Sequence, residues 1–80
     1  MIKGKVIGRV WSTKRVKTMP QGGLLEVEIA GGARVIAFDP LGCADDEEVL
    51  ITQGSVAAAY FEGVRAPLDA LIIGSIDERD

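Results

Sequence analysis

Apolar and polar residues alternate with a period of two along much of this chain, which predicts strands rather than amphipathic helices. Ile2, Gly4, Val6, Gly8 and Val10 fall on one face of an extended segment, and Lys3, Lys5, Ile7, Arg9 and Trp11 fall on the other. The pattern predicts a strand over residues 2–12 with Gly4 and Gly8 on its inward face. Glycine there marks sharp curvature or close backbone approach, the kind of bend a small barrel needs. The polar, basic stretch from Ser12 to Gly23 is rich in breakers and reads as a loop.

Leu25, Val27 and Ile29 alternate with Glu26 and Glu28 as a half-buried second strand. Gly31-Gly32 then separates it from Arg34 to Phe38, and two glycines between alternating runs predict a hairpin, because primed turns need positive φ. Asp39-Pro40 ends the third strand, since proline has no N–H for the ladder. Val49 to Thr52 is a short fourth strand. Val56 to Phe61 is the one helix-forming stretch, with Ser55 as its expected N-cap. A loop over Glu62 to Pro67 leads to a last strand, Ala70 to Ile76. Five strands with one short helix before the fifth predict an all-β fold, a small closed barrel rather than a sandwich.

Size confines this to one domain over residues 1–80. A mass of 8.5 kDa implies about 4,600 Å² of folded surface against about 12,300 Å² unfolded, so roughly 60% is buried. A chain this thin binds something or builds something with its own copies more readily than it houses a deep cleft. Nine basic against twelve acidic residues leave a net charge of −3, which argues against a nucleic-acid partner. No apolar run reaches the length of a membrane span, and the start of the chain lacks the apolar core of a secretory signal. The expected setting is therefore cytoplasmic, with no membrane partner.

Candidate chemistry is sparse. The chain has no histidine, which removes the usual general base and the commonest transition-metal ligand. Cys43, the single cysteine, has neither an activating base nor a redox partner and reads as a small inert residue. Asp45-Asp46-Glu47-Glu48 lacks the alternating spacing of a calcium loop and reads as a solvated turn, with Glu47 placed to accept backbone hydrogen bonds. Ser12 and Ser55 have no nucleophile elbow around them, and the glycines fit neither a dinucleotide fingerprint nor a P-loop. Lys14, Arg15 and Lys17 form the one basic patch, suited to a phosphate, an acidic partner or plain solvation. Trp11 stands without the aromatic neighbours of a base-stacking platform. No catalytic residue, cofactor or metal site is expected.

Five segments in order resemble a known family. They are Gly4 to Lys14, Leu24 to Val27, Asp39-Pro40-Leu41-Gly42 followed by Glu47 to Leu50, Gly54 to Ala57, and Pro67 to Asp77. Together they are similar to the pentameric vertex proteins of bacterial microcompartment shells, the carboxysome and ethanolamine-compartment vertex family. The chain departs from that family at Ala44 and Asp46, where further glycines are usual, and at Ala58 or Ala59, where an arginine is usual. The resemblance implies an OB-like barrel protomer, a homopentamer, and insertion at the vertices of a shell tiled by hexameric shell proteins. It places Gly42, Cys43 and Ala44 at the pore; if that turn faced the five-fold axis five thiols could form a ring, but no metal is expected there. It also makes Ser12, Thr13, Lys14 and Arg15 the expected contact with a neighbouring hexamer. The rival reading is an OB-like module for nucleic acid or a small ligand, which the acidic charge disfavours. A small enzyme is weaker still.

Overall fold

The computed structural model describes residues 1–11, 14–19, 22–59 and 68–77, with the side chain of Val56 excepted. Strands β1 (Ile2–Val10), β2 (Gly23–Ile29), β3 (Arg34–Asp39), β4 (Glu48–Gln53) and β5 (Ala70–Ile76) close into one barrel in the order β1-β2-β3-β5-β4. Each expected strand is present. Helix α1 (Ser55–Ala58) precedes β5, as expected, and ends with Ala59 as its C-cap; Tyr60 and Phe61 of the expected helix, and the loop from Glu62 to Pro67, lie outside the described residues. All neighbouring strands run antiparallel except β3 and β5, whose parallel seam has the single registered pair Phe38 and Leu71.

Inward positions of the alternating runs fill the barrel. Val6, Leu25, Val27, Ala37, Cys43, Val49, Ile51, Ala70 and Ile72 form one buried cluster, with Ile2, Ile29 and Val35 packed against it. Each fully buried aliphatic side chain contributes about 1.5–3 kcal/mol. Phe38, Leu71 and Ala57 form a second cluster outside the barrel, flanked by Met19, Leu24 and Leu68. The short helix thus covers the parallel seam, and β3 and β5 are buried there on both faces. That is why Ala37, Phe38 and Asp39, and again Ala70, Leu71 and Ile72, are buried consecutively.

Two local expectations need correction and a third is borne out. Gly8 does not face inward. The β1–β2 register shifts between Val6 and Gly8, so Gly8 lies opposite Glu26 and Arg9 opposite buried Leu25. One extra residue in a strand moves everything after it to the other face. Gly4 does face the interior, where a Cβ would overlap Val27 Cγ1. Ser55 is not the N-cap; Gly54 takes that position at φ 74°, a conformation that favours glycine, and no side chain caps the helix. The expected hairpin joins β2 and β3 through a tight turn, Ala30–Gly32, closed by Ile29 N–H donating to the Ala33 carbonyl at 2.9 Å. Its two glycines have φ 87° and 85°, the positive values expected of them.

Candidate functional site

Among the described residues, the segment between β3 and β4 is the irregular stretch with the most side-chain-to-backbone hydrogen bonds. Asp39 ends β3 with its side chain buried. Its Oδ1 accepts the Leu41 N–H at 2.9 Å and its Oδ2 accepts the Cys43 N–H at 2.6 Å. A carboxylate satisfied by two backbone donors holds the chain in a tight turn, and Gly42 at φ 82° supplies the left-handed residue this path requires. Asp46 adopts φ 69°, in the left-handed region. Aspartate is among the few residues that enter that region readily, so the turn accommodates it.

The far side of the turn is pinned by Glu47. Its Oε1 accepts the Ala44 N–H at 3.2 Å, the role expected for it, and its Oε2 accepts the Ser75 hydroxyl of β5 at 2.9 Å. Val6 of β1 donates to the Glu47 carbonyl at 2.9 Å and accepts from the Asp46 N–H at 2.8 Å. Hydrogen bonds from Ser75 and from the Ala44 backbone hold the Glu47 carboxyl below its ordinary pKa. Lys5 approaches Asp46 at 3.9 Å, an exposed pair that contributes little.

Within this turn the three expected pore residues divide. Gly42 and Ala44 are exposed, whereas Cys43 is 3% exposed and packs into the barrel core. Burial, reinforced by the nearby Asp39 charge, pushes the Cys43 thiol up to about 12. In the single protomer the thiol points into the barrel core, away from solvent. At neutral pH the raised pKa leaves very little thiolate, which disfavours reaction of Cys43 as a nucleophile. Among the described residues no group of three or more carboxylate, cysteine or histidine side chains could hold a metal ion.

Of the four expected shell-contact residues, Ser12 and Thr13 lie outside the described residues. Lys14 is exposed and Arg15 partly so. Arg15 shares a surface cleft with Arg9 and Trp11. Sequence reading missed Arg9, which an unbroken alternation puts on the opposite face, and it gave Asp39 no role beyond ending a strand. Asp at the first position of a turn with Pro40 second was the available signal for the latter. Large apolar side chains also remain on the surface, among them Trp11, Val16, Ile36, Leu41 and Ile73.

The described residues form a closed barrel with a hydrogen-bonded turn and exposed apolar side chains, and they hold no constellation of reacting groups. Comparison with known proteins gives this barrel a family. Residues 1–77 match the family described as ethanolamine utilisation protein EutN/carboxysome, and the chain belongs to it. It is 40% identical over 76 residues to the carboxysome shell vertex protein CsoS4A of Hydrogenovibrio crunogenus, covering 92% of this chain and 83% of that one. It is 32% identical over 79 residues to the carboxysome shell vertex protein CcmL of Thermosynechococcus vestitus, covering 91% and 80%. Among solved structures, the pentameric shell protein MSM0273 from the RMM microcompartment superposes with a TM-score of 0.93 at 56% identity. That match covers 100% of this chain and 94% of the other. No helix among the described residues is long and apolar enough to cross a membrane.

Proposed function

We propose that this chain is a structural subunit and not an enzyme, that it assembles as a homopentamer, and that the ring closes the vertices of a bacterial microcompartment shell in the cytoplasm. The observation that carries this reading is the full-length likeness to a pentameric shell protein. The surface supports it. The isolated chain exposes 5397 Å², against about 4,600 Å² for a monomer of this mass, and some of that surface is apolar. Such area is suited to contacts between protomers, and contacts of one kind repeated around an axis close into a ring. Residues 1–80 then act as one vertex domain, without cofactor, metal, nucleic acid or membrane.

Two finer assignments belong to the same proposal. The Gly42-Cys43-Ala44 turn lines the pore, with Gly42 and Ala44 presented to it and Cys43 contributing its backbone while its thiol anchors the turn in the core. Two carboxylates that satisfy the turn's own N–H groups give the pore a fixed rim. The Ser12, Thr13, Lys14 and Arg15 segment meets the hexameric shell protein at the rim of the ring. Five chains at −3 each total about −15, so a local cationic loop orients the ring toward carboxylates of a neighbour more than it adds affinity.

Co-expression with the hexameric shell proteins tests the reading. Shells made with the chain should be closed and carry it at their vertices, and shells made without it should be open there. A Lys14→Glu, Arg15→Glu double variant should form intact rings yet occupy vertices poorly. Closed shells in the absence of the chain would overturn the vertex role. Undiminished occupancy by the double variant would overturn the docking role alone.

A further inference from the structure

One side chain seats the segment after β1 against the barrel, and the shell role makes no use of it. Residues 14–19 carry Lys14, Arg15 and Lys17. Met19 ends this stretch in a tight turn, its N–H donating to the Val16 carbonyl at 3.1 Å. Its side chain is partly buried against Phe38, Ala57 and Leu71, the cluster that lies outside the barrel on the parallel seam. The chain returns to the same ring at Gly22, where φ is 149° and a Cβ would lie 2.6 Å from Phe38 Cζ. Lys14, Val16, Lys17 and Thr18 are exposed, which leaves Met19 as the apolar side chain of this stretch that packs into a core cluster. An unbranched thioether fits such an irregular apolar seat.

We propose that Met19 is a modification site, a thioether whose oxidation by a peroxide unlatches residues 14–19 from the barrel. The sulfur lone pair attacks one peroxide oxygen, the O–O bond breaks and an S–O bond forms. Sulfur loses two electrons and the peroxide gains them. With hydrogen peroxide, the second oxygen leaves as water with both protons. The product sulfoxide is polar where the thioether was apolar. Phe38, Ala57 and Leu71, with Leu24 and Leu68 beside them, have no side-chain donor to offer it. A polar oxygen held there loses its water without replacement, so the sulfoxide turns outward and the segment loses the packing that seats it. Reduction by a thiol-dependent sulfoxide reductase reverses the step. The latch lies within one protomer, so the proposal goes beyond the vertex role and does not depend on it.

Met1, 81% exposed, is the only other methionine and serves as an internal reference. The purified assembled protein is treated with hydrogen peroxide, and peptide mass spectrometry locates the added oxygen. Trypsin then reports on the segment through cleavage after Lys14, Arg15 and Lys17. Met19 should oxidise more slowly than Met1 but to completion, and cleavage should become about tenfold faster at unchanged ring stoichiometry. Sulfoxide reductase should restore the original rate. Met19→Leu keeps both the packing and Met1, so it should be cleaved at the untreated rate before and after peroxide. Met19→Gln puts a polar group in the same seat and should be cleaved fast without peroxide. The proposal is overturned if Met19 stays reduced when Met1 is fully oxidised, or if the oxidised protein is cleaved at the untreated rate. It is equally overturned if peroxide accelerates cleavage of Met19→Leu as much as that of the wild type.

Discussion

Replacing Gly4 with alanine should weaken the barrel, whereas the same change at Gly8, four residues along the same strand, should leave it as stable or more so. Alanine in a strand ordinarily gains about 0.5–1 kcal/mol over glycine, because glycine loses more conformational freedom on folding. At Gly4 that gain is outweighed. The new Cβ would overlap Val27 Cγ1 and lie 3.1 Å from the Glu28 carbonyl oxygen, and Val27 is fully buried with no room to yield. Overpacking of this kind costs about 1–3 kcal/mol, which leaves a net loss of about 1–2 kcal/mol. For a domain of this size that lowers Tm by roughly 5–15 °C. At Gly8 a Cβ meets nothing within 4 Å, so the gain stands and Tm should rise by a few degrees. Both variants and the wild type are melted at one protomer concentration, because association itself stabilises the fold. A Gly4→Ala protein as stable as wild type would refute the close approach of β1 to β2, and an equal loss at Gly8 would refute the register shift.

Three further outcomes follow from the turn. Asp39→Asn should lower stability by about 2–3 kcal/mol in urea titration, since an amide nitrogen would face one of the two backbone donors the carboxylate now satisfies; an unchanged midpoint would remove Asp39 from its role. Cys43 should resist thiol reagents in the native state at pH 8. With its pKa raised from 9.0 to about 12, its thiolate fraction lies about a thousandfold below that of an ordinary cysteine. The unfolded chain releases that proton first, so the thiol's contribution to stability is complete below pH 9 and falls as pH rises toward 12; a Cys43→Ser variant should lack that component. Ser75→Ala should raise the Glu47 carboxyl toward the usual range, which a carbon-detected NMR titration reads directly.

The alternation of apolar residues carried most of the fold. Leu25, Val27, Val49, Ile51 and Ile72 are inside because a period of two, bounded by glycine and proline, allows one buried face. Pattern failed where it was interrupted without a visible mark. The β1 shift leaves Gly8 and Val10 in apparent phase with Ile2 and Val6, since glycine at an outward position looks like glycine at an inward one. Arg9 was therefore assigned to the wrong face, and the cleft it lines with Trp11 was not foreseeable. The second cluster was hidden for a different reason. Phe38 and Leu71 are buried by the helix packed on the parallel seam, and no local pattern says that α1 returns to that spot. In the turn, Glu47 was legible as a carboxylate three residues after the N–H it accepts. The direction of Cys43 was not, because irregular backbone has no periodicity from which to read a side chain's face.

The central claim is that copies of this barrel close into a ring of five, and native mass spectrometry of the purified chain at micromolar protomer concentration tests it most directly. The account predicts a dominant species at five times the 8.5 kDa protomer, about 43 kDa, insensitive to oxidation because Cys43 is buried. An 8.5 kDa monomer alone, or a closed species of another stoichiometry, would contradict it.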